Sequence, residues 1–121
     1  MTLSQLRADL ATAFGGIPEL TFTPRRVDDA LPPHAWVQSI TATPAAFGDL
    51  AHDYGVTIAV AVSATDDDGA AALIDSLIDD NVLADALRTL GAIERYDAIA
   101  EPISLLNGTY IGFTFDLTVP G

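Results

Sequence analysis

The chain has 121 residues, half of them hydrophobic, and a formal net charge of −12, a length that fits one domain able to bury roughly two-thirds of its unfolded surface. It holds no cysteine, which excludes disulfide staples, thiolate nucleophiles and zinc–thiolate sites. Its five basic residues are all arginine (Arg7, Arg25, Arg26, Arg88, Arg95), and Asp28-Asp29 directly follow the one adjacent pair, so sequence-specific contact with nucleic acid is not expected.

Thr2-Leu3-Ser4-Gln5 has the spacing of a capping box. Leu3, Leu6, Leu10 and Phe14 follow at helical spacing, and Gly15-Gly16 with Pro18 ends the helix. Arg7 and Asp9 inside this segment set it apart from a signal peptide, and the longest apolar run, Ile58 to Val62, is far below the about 20 residues needed to cross a bilayer. A cytoplasmic protein without a membrane partner is the expectation.

Residues 19–23 alternate as a short strand, and Pro24 to Pro33 reads as an irregular connection. His34 to Thr43 returns to strand character, with Trp36, Gln38 and Ile40 assigned to one face and Val37 and Ser39 to the other. Pro44 to Asp53 reads as a turn or flexible loop within a hairpin. In Tyr54 to Ala64 the large residues Tyr54, Val56, Ile58, Val60 and Val62 share one face. The small residues between them leave the other face nearly flat, open to a helix, another sheet or a neighbouring subunit.

Thr65 followed by Asp66-Asp67-Asp68 reads as a threonine cap with carboxylates at the positive end of a helix. Ala70, Leu73, Ile74, Leu77 and Ile78 form its apolar stripe, Asp79-Asp80-Asn81 marks a break, and a short helix runs from Val82 to Leu90 before Gly91. Two strands end the chain. Ala92 to Pro102 is the first, with Ile93, Arg95 and Asp97 opposite Glu94 and Tyr96, and Asn107-Gly108 is a hairpin signal in which both residues tolerate positive φ. Ile111, Phe113, Phe115, Leu117 and Val119 then share a face. The predicted fold is α+β, a mostly antiparallel sheet packed on one side by the N-terminal helix and a central helix pair, in a single domain spanning 1–121.

Motifs that carry chemistry do not emerge. The aspartates before Gly69 are consecutive rather than alternating, as a calcium loop requires, and helix capping is the simpler reading. His34 and His52 read as exposed loop histidines without a second ligand at useful spacing, and Asp97 with Glu101 is a pair of no weight in so acidic a chain. No catalytic residue, metal site or cofactor is predicted, and an enzyme is the least favoured class. Arg25-Arg26 beside Asp28-Asp29 can interlock with a neighbour's copy, fixing register more than affinity, or can form a solvated loop. Trp36 fits a core position or an interface anchor.

Along nearly its whole length the sequence resembles the small tail terminator (tail completion) proteins of long-tailed phages infecting actinobacteria. The resemblance is carried by the helix Leu3–Phe14, Pro-Pro-His-Ala-Trp-Val at 32–37, Phe47…Tyr54 leading into Val56–Val62, the acid-capped helix through 72–79, the short helix Val82–Leu90, and Asn107-Gly108-Thr-Tyr-Ile-Gly-Phe-Thr-Phe115. It implies a structural virion subunit at the tail–neck boundary, assembled in the host cytoplasm into a ring, usually hexameric. Such a ring caps the tail tube, ends polymerisation of the major tail protein and joins the tail to the head–tail connector, while genomic DNA passes through without specific binding. By position it implies ring or lumen contacts from 24–33, with Arg25, Arg26, Asp28 and Asp29, and from 44–53, with Phe47, His52 and Asp53. An acidic lumen would let DNA pass without sticking. A head-closure or adaptor protein of the same virion, or an acidic binding module, are the alternatives.

Overall fold

The computed structural model of the protein describes residues 2–44, 52–65, 67–98 and 102–120. Helix α1 (Leu3–Phe14) opens with the predicted capping box: Gln5 N–H donates to Thr2 Oγ1 at 3.1 Å, and Thr2 N–H to Gln5 Oε1 at 2.8 Å. Leu6, Leu10 and Phe14 are buried on its inner stripe, worth about 2 kcal/mol each. The helix ends without a left-handed glycine cap. Gly15 is right-handed (φ −60°), and i→i+3 bonds from Gly16 to Ala13 and Ile17 to Phe14 tighten the last turn instead.

Strand β1 (Thr21–Thr23) lies parallel to β2 (His34–Pro44), and Phe22 stacks on Phe14 with ring centroids 4.2 Å apart. β2 pairs antiparallel with β3 (His52–Ser63), β3 with β6 (Gly108–Val119), and β6 with β4 (Ala92–Asp97). The order is β1-β2-β3-β6-β4, and the added strand β5 (Ile103–Leu105) pairs with the start of β6. The architecture is α+β with a mostly antiparallel six-stranded sheet. β5 is an element the sequence does not predict, lying just past the expected strand 92–102. Likewise Pro44 pairs with His52 and Thr43 with Asp53, so the strands extend into the segment expected to be loop.

Helix α2 (Asp68–Asp79) is capped by Asp67, whose carboxylate accepts from Ala70 N–H at 2.9 Å, and not by Thr65, which donates its own N–H to Ser63 Oγ. Asp66 lies outside the described residues. Asn81, left-handed at φ 58°, makes the predicted break and opens α3 (Val82–Leu87), which is shorter than expected. Buried residues of α1, α2 and α3 share one core with the large residues of β3 and with Phe113, Phe115, Leu117 and Val119 of β6.

Two register shifts change which side chains share a face. In β2 the pairing steps from Val37↔Ile58 to Ser39↔Thr57, leaving Gln38 as an extra residue. Ile40 therefore joins Val37 against the helical core, while Trp36 faces the other way with Ala59, Ala61, Tyr110 and Ala30. In β4 a shift between Ile93 and Arg95 puts Ile93 and Tyr96 on the core side. Both predicted alternations fail because a bulge inverts the two-residue period. On the outer face Asp116 accepts from Thr57 Oγ1 at 2.9 Å and Arg95 Nε at 3.0 Å, tying β3, β6 and β4. Being exposed, the ion pair is worth well under ~1 kcal/mol.

At Gly112, opposite Ala61, a β-carbon would run into the Val60 carbonyl. The backbones of β3 and β6 must separate to admit it. Gly112→Ala is expected to lower stability by about 3 kcal/mol, read as a drop in the urea midpoint. An unchanged midpoint would show that the strands are not held this closely.

Candidate assembly interface

The connection 24–33 leaves β1 at Pro24, which cannot donate to a ladder, so β1 pairs with β2 only from Thr21↔His34 to Thr23↔Trp36. The connection is not a loose loop. Asn107 reaches across with both ends of its amide, donating from Nδ2 to the Ala30 carbonyl at 2.9 Å and accepting from Ala30 N–H at 3.3 Å. Tyr110 Oη donates to the same carbonyl at 3.1 Å, and Leu106 N–H donates to the Asp28 carbonyl at 2.8 Å. Asn107 is thus an anchor rather than a positive-φ turn residue; among the β5–β6 turn residues only Gly108 takes positive φ, at 152°. The connection and β5 cover the small-residue face of β3, with Val27, Ile103 and Leu105 packed against Trp36 and Tyr110.

This pinned segment separates the charges that adjacency in sequence had suggested would cancel. Arg25 and Arg26 are exposed and line a groove of about 300 Å³ together with Arg7 of α1 and residues 37–40 and 42 of β2. Asp28 and Asp29 are exposed beyond it, with Asp29 beside Leu31 and His34. No carboxylate pairs with Arg7, Arg25 or Arg26 among the described residues. Leu3, 42% exposed, adds an apolar wall to the groove.

Trp36 is only 1% exposed, and its indole N–H donates to Gln38 Oε1 at 2.9 Å, so in this chain it is a core residue. His52 is half-buried and Asp53 exposed at the start of β3, away from the groove lining; Phe47 lies outside the described residues. His34 is not an exposed loop residue: it opens β2, is buried, and its Nε2 lies 2.9 Å from Thr23 Oγ1. The sequence reading missed Arg7 and Leu3 as partners of Arg25-Arg26, because only the fold brings α1 beside residues 24–26. It also missed Leu31 and Leu106, 85% and 86% exposed.

The sheet ends in two unlike edges. Beyond Trp36, residues 37–44 of β2 have no strand on the β1 side among the described residues. At the far end, the outer edge of β4 is likewise unpaired among the described residues, with Glu94 and Asp97 exposed. No group of three or more His, Asp or Glu residues able to hold a metal occurs among the described residues. No protein-family model matches the chain, and no curated protein matches it.

Two outcomes follow from the clamp and from His34. Asn107→Ala is expected to cost about 1–2 kcal/mol and to speed tryptic cleavage after Arg25 and Arg26 in the folded protein; an unchanged cleavage rate would show the segment is held by other means. Burial lowers the His34 pKa from 6.5, against the opposing pull of Asp29. The folded chain thus prefers the neutral ring, so this residue's contribution is whole above pH 6.5 and is lost as pH falls through that value towards the lowered folded-state pKa. The stability difference between the native chain and His34→Gln is expected to shrink between about pH 7.5 and 5.5. Parallel curves would contradict it.

Proposed function

We propose that this protein is a ring-forming tail terminator of a long-tailed phage, a structural subunit that caps the tail tube, ends its polymerisation and joins the tail to the head–tail connector. The observation that carries the reading is the pair of unlike open edges at the two ends of one sheet. A closed ring needs two different surfaces that meet head-to-tail and close by rotation, and such edges are ready templates for pairing with another chain. The resemblance in element order along the chain points the same way. The net charge of −12 suits a passage for DNA, since like charge disfavours adhesion of phosphates.

In this role the subunit performs no chemistry. Its work is shape: one face of the ring matches the last ring of the tube, and the other matches the connector. The purified protein, mixed with growing tubes of the major tail protein and imaged by electron microscopy, is expected to appear as sixfold rings on tube ends and to limit tube length. Tubes that grow on uncapped, with no rings on their ends, overturn the reading. Rings that bind the connector but ignore the tube assign the protein to head closure instead.

A further inference from the structure

We infer that the arginine groove beside β2 receives strand β4 of a second copy of this chain, so that the sheets of neighbouring subunits run on into one another. Three observations lead there. Arg7, Arg25 and Arg26, three of the five basic residues in a chain of net charge −12, converge on one groove without a carboxylate partner among the described residues. An acidic occupant is what such a cluster recognises, because exposed arginines gain most from carboxylates held in fixed geometry. The second observation concerns the groove's wall. It is built from the part of β2 past Trp36, whose edge is unpaired, and unpaired strand N–H and C=O groups select an extended segment over a helix.

The third observation identifies the occupant. Among the described residues, β1 and β5 also have an unpaired side but are three uncharged residues each, whereas β4, at the far end of the sheet, is six residues long and can lie along residues 37–44. It presents Glu94 and Asp97 to solvent, while the positive charge between them, Arg95, is already committed to Asp116. The acidic residues of α2 and α3 are more numerous but sit on helices, which cannot extend a ladder. Leu3 would close over the joint from the α1 side. The contact is heterologous, an edge of one kind against an edge of another, so it propagates in one direction and closes only if the rotation permits. The inference rests on the ring reading for that closure alone.

The test uses the full chain and follows its mass by analytical ultracentrifugation across a concentration series, with thermal melting as a check on folding. Arg25→Glu with Arg26→Glu is expected to weaken self-association by about 100-fold, since like charges now face one another. Glu94→Arg with Asp97→Arg should do the same, and the chain carrying all four changes should recover association to within about tenfold. Amide exchange within residues 39–43 should slow on assembly of the native chain, a readout that needs no substitution. Native assembly that survives Arg25→Glu with Arg26→Glu overturns the groove as an interface, and leaves the ring reading standing on some other surface. Recovery obtained with reversal of Asp79 and Asp80, but not of Glu94 and Asp97, overturns β4 as the occupant. A native chain that stays monomeric at every concentration overturns the inference, while rings on tube ends alone would still uphold the terminator reading.

Discussion

Strand β3 is hydrogen-bonded on both sides, to β2 and to β6, and its strict alternation of large and small residues decides where everything else can pack. Tyr54, Val56, Ile58, Val60 and Val62 fill the space beneath the three helices. Ala59 and Ala61 on the reverse leave only enough depth for flat or small partners, and Trp36, Ala30 and Tyr110 fill it. Had that reverse face carried large side chains, the 24–33 connection would have no bed to lie in. The close approach at Gly112 belongs to the same constraint, because the Val60 carbonyl occupies the space a side chain would need. A central strand of this kind gives two cores of unequal size from a single period-two pattern.

The smaller core matters most for what the molecule presents outward. It fixes the 24–33 connection through the Ala30 carbonyl, which accepts from both Asn107 and Tyr110. With Ala30 held, Arg25 and Arg26 are carried to the α1 side and Asp29 to the side of Leu31 and His34. Charges that lie within five positions of one another in sequence thus act on different surfaces. Sheet packing on a face with no helices therefore sets the electrostatics of the edge, and the net charge of the chain does not describe what a neighbour meets there.

Much of the fold was legible because its signals are local. The capping box of α1, the alternation of β3 and β6, and the helix break at Asn81 each depend on residues a few positions apart. The errors have one physical source: a feature whose cause lies elsewhere in the chain. The Gln38 bulge falls just past Trp36, where the pairing with β1 stops and β3 alone continues, and nothing in His-Ala-Trp-Val-Gln-Ser-Ile announces the shift. His34 looked exposed after two prolines, yet the parallel pairing with β1 places Thr23 over it. Asn107-Gly108 was rightly read as a hairpin, but the asparagine amide is spent on a partner 77 residues away. Of the candidate site, Arg25-Arg26 was visible as a pair, while Arg7 belonged to it only once α1 was placed.

The two ends of the sheet bear unequal burdens. At the β4 end, Asp116 ties three strands together through Thr57 and Arg95, and the edge is short, with a register shift between Ile93 and Arg95. At the β2 end, β1 protects only Thr21 to Thr23's partners, and Pro24 ends the ladder where the arginines begin. Natural proteins blunt an exposed edge with charge, bulges or brevity. Here the β2 edge has a bulge at Gln38 and positive charge beside it, in a chain otherwise strongly negative. Those devices discourage indiscriminate pairing among apolar strands. An edge guarded in this way is selective rather than closed.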